Sequence, residues 1–245
     1  MKIISGRFDG GADLPDVAKQ LGFASVVELV LDRCVFPPAS IVRETNARPI
    51  VNTVRAGMFD GHGKVARGEY VAPAVAARLW GMRCTQPQAR GVLADDNMSP
   101  HFAFSSCFTV RRDRIAISTT QLCHIFDSAY SKDPRFFSSL ANLVLVPWWL
   151  AKLTDVDADV CQALRFVARA GFGACPTCHG KAGGCTACSK PEALTIDESG
   201  AKELVARYEP YRVDNYEATA RSVRDARWQT AISAGIGYAE PVLGS

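Results

Sequence analysis

Four cysteines fall within fourteen residues, in the run Cys175-Pro-Thr-Cys178-His-Gly-Lys-Ala-Gly-Gly-Cys185-Thr-Ala-Cys188. No other stretch of the chain so narrows what it can fold into. Each CxxC pair can form a knuckle, a tight turn that aims two thiolates at one point while backbone N–H groups support the sulfurs. Two knuckles six residues apart supply the tetrahedral sulfur set that Zn²⁺ accepts at about 2.3 Å. Gly180, Gly183 and Gly184 give so compact a loop its unhindered backbone. Lys181 and Lys190 stand close enough to offset part of the negative charge of a tetrathiolate. The expectation is one structural Zn²⁺ on Cys175, Cys178, Cys185 and Cys188. Such a site is coordinatively closed and does no catalysis.

Other chemistries can use the same residues. A pair of disulfides needs an oxidising compartment, and a redox CxxC needs one pair and leaves the second idle. Cys175-Pro-Thr-Cys178-His179 also fits the CxxCH haem-attachment pattern, which would leave Cys185 and Cys188 without a role. With four thiols at hand, His179 reads as a solvated loop residue.

The run CPTCHGKAGG resembles the CxxCxGxG module of the J-domain co-chaperones. It is also similar to the CxxCHG knuckle of the lambda-like bacteriophage late antitermination proteins, the Q family, in which a helix leads into the first knuckle as Val156–Arg169 would here. The resemblance covers about thirty-five of the 245 residues. Ala182 stands at the module's second glycine, the second unit CTACSKPE lacks the glycines, and no His-Pro-Asp of a J-domain occurs. The resemblance to the phage proteins implies a zinc-binding transcription regulator that works on DNA or RNA, with a protein complex such as a polymerase as partner.

Composition decides how such a partner could be met. Lys plus Arg is 28 and Asp plus Glu 25, a net charge of +3, so any nucleic-acid surface must be local. Hydrophobic residues at 48% and charged residues at 22% exclude a wholly disordered chain, a collagen-like repeat and a coiled-coil rod. The start, MKIISGRFDGGAD, carries no apolar leader. The longest apolar run, Leu140–Ala151, has twelve residues interrupted by Pro147, too few to span a bilayer; it reads as a buried helix or a partner-facing surface. Cys34, Cys84, Cys107, Cys123 and Cys161 are scattered among apolar neighbours, as buried small hydrophobes in a reducing compartment would be. The expected setting is cytoplasmic, with no membrane partner.

A local nucleic-acid surface has one candidate. Pro73–Trp80 reads as a helix, and Ala74–Gly81 followed by Thr85-Gln86-Pro87-Gln88-Ala89-Arg90-Gly91-Val92-Leu93 is a helix-turn-helix candidate, the second part standing where a recognition helix would. Thr85 can cap and Pro87 suits a first turn. Gln86 and Gln88 would then face adenine edges, with Arg78, Arg83 and Arg90 near phosphates. The antitermination proteins carry a similar T-Q-P run, after their zinc module and not before it. A polar surface loop between two helices is the other reading. Arg221, Arg224 and Arg227 beside Trp228 form a second basic stretch, or simply a solvated face.

An enzyme rival rests on Met58-Phe59-Asp60-Gly61-His62-Gly63, which resembles the FDGHG strand-turn of the metal-dependent (PP2C-type) protein phosphatases. Asp96-Asn97-Met98-Ser99 is similar to their D-N-x-T/S segment. That resemblance implies metal ligation by Asp60 and Asp96 and hydrolysis by activated water; an ordinary turn at Asp60–Gly63 is the alternative.

Periodicity gives the remaining frame. Leu14–Arg33 reads as two short helices broken near Gly22, and 214–234 as a helix. Phe102–Val110 and Ile115–Ser118 read as a β-hairpin, and Thr119–Ala129 and Arg135–Leu153 as helices. Thr154-Asp155-Val156-Asp157 opens a helix with Val156, Val160, Leu164 and Val167 on one face and Gln162, Arg165 and Arg169 on another. Gly171-Phe172-Gly173 ends it. The fold class is α+β, mainly helical, with a short β-hairpin and a compact four-cysteine zinc-knuckle module. The expected units are residues 1–153 (mixed α/β), 154–190 (helix plus zinc module) and 191–245 (helical). The functional expectation is a zinc-binding, nucleic-acid-associated regulator. The alternatives are a protein-interaction or structural zinc protein and, third, the metal hydrolase.

Overall fold

The structure, a computed structural model, describes residues 10–45, 53–55, 70–71, 92–95, 98–109, 119–126, 133–181, 184–220 and 222. Two short helices open it, α1 (Gly10–Gln20) and α2 (Val26–Arg33). They part at Gly22, whose φ of +86° only glycine adopts freely. The Ser25 hydroxyl accepts the Glu28 N–H at 3.2 Å and caps α2. Pro37 and Pro38 then turn the chain into α3 (Ala39–Glu44).

Two small sheets follow. β1 (Thr53–Arg55) runs parallel to β3 (Val92–Asp95), which pairs antiparallel with β2 (Tyr70–Val71). The second sheet pairs β4 (Thr120–His124) with β5 (Leu143–Pro147), antiparallel, Leu122 opposite Leu145. Val35 exchanges backbone hydrogen bonds with Leu145 on the other edge, at 2.8 and 3.0 Å. β5 is therefore the middle of this sheet. Its residues Leu143, Val144, Leu145 and Val146 are all buried, which is why they read as an unbroken apolar run and not as an alternation.

The antiparallel pair thus uses other segments than Phe102–Val110 and Ile115–Ser118. Residues 98–105 form α4 (Met98–Ser105), with Pro100 in its first turn, where a missing N–H costs nothing. Phe104 on α4 and Phe108 beyond its end bring their rings to 5.5 Å, and Phe108 forms an isolated antiparallel bridge with Arg212; Ile115–Ser118 lies outside the described residues. Over its described part, 119–126, the helix expected across Thr119–Ala129 is replaced by β4; residues 127–129 lie outside the described residues. The one expected over Arg135–Leu153 is replaced by a 3-10 turn (Leu140–Asn142), β5, and the short helices α5 (Trp148–Ala151) and α6 (Leu153–Val156). Pro147 cannot donate to a helical ladder, and the β-branched, fully buried run before it suits a strand.

The centre of the molecule is α7 (Ala158–Phe172). Its cap is Asp157, whose Oδ1 accepts the Val160 N–H at 2.9 Å, not the Thr154–Asp157 box. Val156 falls outside α7 and is exposed, while Val160, Leu164 and Val167 are buried. Gly173, at φ 71° and ψ 20°, stops the helix in the left-handed conformation. α7 packs against α2, α3 and the last described full helix, α8 (Glu198–Ala206). α8 is capped by Asp197, whose Oδ1 accepts the Gly200 N–H at 2.9 Å.

Gly171 is where α7 and α8 touch. A Cβ there would lie 2.8 Å from Val205 Cγ2. Beyond α8, a 3-10 turn (Glu209–Tyr211) binds back to the N-terminal helices. The Tyr208 hydroxyl donates to the Cys34 carbonyl at 2.5 Å, and the Ser40 N–H and hydroxyl both donate to the Glu209 carboxylate at 2.7 Å. One contiguous core cluster runs from Leu14 to Ala220. Residues 216–220 are helical, in keeping with the helix expected from 214; the rest of that expectation lies outside the described residues.

Candidate metal centre

The end of α7 delivers the first knuckle. Gly173 and Ala174 donate back to Arg169 O (2.9 Å) and Ala168 O (3.3 Å), closing the helix and turning Cys175 inward. His179 N donates to Cys175 O at 2.8 Å, and Lys181 N to Cys178 O at 3.1 Å. This winding places His179 at φ 52° and Gly180 at φ 74°, two successive left-handed residues. Gly180 is obligatory for a second reason: a Cβ on it would collide with the Gly173 carbonyl. In the second knuckle Cys188 N donates to Cys185 O at 3.0 Å, and Cys185 N approaches Cys188 Sγ at 3.4 Å. That is the backbone support a CxxC turn gives its sulfurs.

The knuckles converge. All four Sγ atoms lie within 4.8 Å of one another. The closer approaches are Cys178–Cys188 at 3.5 Å, Cys185–Cys188 at 3.6 Å and Cys175–Cys185 at 3.8 Å. Metal–sulfur bonds of about 2.3 Å in a tetrahedron set edges of about 3.8 Å, and three of the six sulfur–sulfur spacings are within a few tenths of an ångström of that length. A disulfide needs about 2.05 Å, and the four cysteines are free. Cys175, Cys178 and Cys188 are buried and Cys185 is partly so. Haem attachment would take Cys175 and Cys178 away from a cluster they complete. His179 is exposed on the outside of the turn.

Four thiols this close cannot all ionise on their own. Burial opposes ionisation of Cys178, but hydrogen bonds from Cys188, Cys175 and the Gly180 N–H outweigh it and bring that thiol to about 7. Burial pushes Cys188 up to about 12, helped by the other sulfurs, and burial also raises Cys175. One thiolate thus forms readily and resists the formation of more. A divalent cation at the centre removes that resistance. Four sulfurs fill a tetrahedral coordination shell and leave no position for substrate or water.

The surroundings fasten the module to the core. Gln162 Nε2 on α7 donates to Ser189 Oγ at 2.7 Å. Pro191 and Leu194 are buried, the Thr195 hydroxyl donates to the Glu28 carboxylate, and Ser25 Oγ reaches Ala193 O at 3.5 Å. Lys190 Nζ bonds Thr195 O at 3.3 Å, and both Lys181 and Lys190 are exposed. The buried cation near the sulfurs is instead Arg169. Its side chain is 5% exposed and pairs with Glu198 at 2.8 Å. The sequence places it with Gln162 and Arg165 on a face apart from the apolar one, and its position in the last turn before the first knuckle is the hint that it is buried beside the sulfurs.

Arg78, Arg83, Gln86, Gln88 and Arg90 lie outside the described residues, as do Asp60, Asp96, Arg221, Arg224, Arg227 and Trp228. No helix among the described residues is long and apolar enough to cross a membrane. No family model matches the chain, and neither the curated proteins nor the solved structures contain a significant match to it.

Proposed function

We propose that this chain is a structural-zinc protein. One Zn²⁺ on Cys175, Cys178, Cys185 and Cys188 fastens the end of α7 to the segment that enters α8. The observation that carries this is the four-sulfur cluster, all four Sγ within 4.8 Å of one another and three of the six spacings at 3.5–3.8 Å. When bound, the ion supplies the positive charge that lets four buried thiolates coexist. A tetrahedral four-sulfur set accepts zinc or iron, so the test is elemental analysis of protein purified under reducing conditions, followed by Co²⁺ substitution. One zinc per chain and a tetrahedral cobalt–thiolate spectrum are expected. Metal-free protein with reactive thiols, or an iron chromophore, would overturn the proposal.

The role we assign to the zinc-bearing protein is that of a nucleic-acid-associated regulator, similar in kind to phage antitermination factors. Its support is the run Thr85-Gln86-Pro87-Gln88 with Arg78, Arg83 and Arg90. The expected result is a salt-sensitive mobility shift with duplex DNA or RNA that Arg83→Ala/Arg90→Ala abolishes. A second reading, a protein-binding role, is favoured by Trp148, Trp149 and Val156, which are 69%, 43% and 66% exposed on α5 and α6. Exposed aromatics of this kind anchor protein interfaces. Protein binding lost in Trp148→Ala, with no nucleic-acid affinity at low salt, would replace the first reading by the second.

A further inference from the structure

Among the described residues, the one buried side-chain nitrogen or oxygen without a hydrogen-bond partner is Nε of Arg169. Elsewhere on that guanidinium, Nη2 pairs with Glu198 Oε1 at 2.8 Å, and the group lies over the Phe166 ring at 5.2 Å. A buried N–H left unpaired forfeits its hydration without return, and the loss is greater when the group is charged. An arrangement that keeps one calls for an acceptor. Gly184 lies between that nitrogen and the cluster: a Cβ built on it would lie 2.9 Å from Arg169 Nε and 3.1 Å from Cys188 Sγ. The missing side chain leaves Cys188 Sγ within reach of Nε after a small adjustment of the loop, although the two are not bonded in this structure.

Charge points the same way. Four thiolates around a divalent ion leave the site with a net negative charge. Lys181 and Lys190 are exposed, and the Lys190 ammonium is directed to Thr195 O. The Glu198 side chain is 50% exposed, so water screens much of what it contributes to neutralising Arg169.

We propose that Arg169 is the counter-charge of the metal centre, its Nε–H donating to the Cys188 sulfur of the loaded site while its Nη2 holds Glu198. The inference rests on the structural-metal reading above. Arg169 is then a positioning residue through which ion binding and the packing of α7 on α8 become one cooperative unit. Thiolate sulfurs that accept such a bond are held in place, and loss of a partner of this kind costs about 10–100-fold in metal affinity.

The test compares parent, Arg169→Lys, Arg169→Met and Glu198→Gln proteins. Co²⁺ and Zn²⁺ affinity is read by competition with a chromogenic chelator, and the cobalt–thiolate charge-transfer bands are recorded. Arg169→Met should lose about 10–100-fold in affinity and shift those bands. Arg169→Lys should recover part of the loss, and Glu198→Gln, which keeps an oxygen that can accept from Nη2 and leaves Nε in place, should weaken binding less than Arg169→Met. Should Arg169→Met fail to fold, cadmium NMR on the parent decides: the Arg169 Nε–H is expected to couple through sulfur to the bound cadmium. Parent protein that binds no cobalt, zinc or cadmium overturns the structural-metal reading and this inference together. Tight metal binding with an uncoupled Nε–H, or with Arg169→Met matching the parent, overturns this inference alone and leaves Arg169 as Glu198's ion-pair partner.

Discussion

Within the knuckles, single atoms decide the outcome. Cys178→Ser removes one ligand and leaves three sulfurs, so the ion should be lost and residues 171–195 should become open to limited proteolysis. Chelation of the parent should give the same cleavage pattern; unchanged protection after full metal removal would show that the core alone holds the module. Gly180→Ala should act without touching a ligand. A left-handed non-glycine residue costs about 1–2 kcal/mol, and the new methyl meets the Gly173 carbonyl, so weaker metal binding and a lower Tm are expected together. The four-cysteine cluster is legible in the sequence because a CxxC turn is a purely local object whose spacing carries its geometry. Arg169 is not legible in that way: its burial comes from Phe166, Gly184 and Glu198, and a residue 29 positions away in sequence leaves no periodic trace.

Helix boundaries are readable where caps and glycines set them. Gly22 and Gly173 stop helices at positive φ, and both stops stand out in the sequence. Asp157→Ala, which removes the acceptor for Val160 N–H, should lower stability by about 1 kcal/mol in urea unfolding. Gly171→Ala is a sharper probe. Alanine favours helix by about 1 kcal/mol, but its methyl would press on Val205 Cγ2 at 2.8 Å, and overpacking costs about 1–3 kcal/mol. Net destabilisation is expected, relieved in Gly171→Ala/Val205→Ala beyond what the separate changes add up to. Strands are harder to read. Leu143–Val146 is covered on both faces and loses its alternation. The Phe102, Phe104, Phe108 series fits period two, yet its first two residues lie on α4 and Phe108 beyond its end. Tertiary cover settles both cases, and no window of sequence contains it.

Taken whole, the molecule buries acids it must keep neutral. Burial raises Cys34 and Cys107 well above the usual thiol value and Cys123 to about 11. It raises Tyr208 to about 12 and Tyr216 higher than an ordinary phenol. In each case the folded pKa lies above the unfolded one. These groups therefore leave stability intact below about pH 8.5, where unfolded thiols begin to ionise. They remove it progressively as pH rises through about 9 and on toward 12, because the unfolded chain then binds fewer protons than the folded one. Urea midpoints measured from about pH 7 to 11 should hold and then fall. Tyr208→Phe should fall less steeply above about pH 10, at the expense of the hydroxyl's bond to Cys34 O.

The four sulfurs span fourteen residues, whereas the helix that carries them is seated between α2, more than a hundred positions earlier, and α8, which follows. A chain that takes a metal ion at this cluster can capture it as soon as Cys188 has left the ribosome, with α2 and α3 already synthesised and waiting. Metal supply would then set the moment at which α7 acquires a fixed end, and a shortage of the metal would be felt during biosynthesis, as arrested docking of the segment that follows the knuckles, before it was felt by any finished molecule.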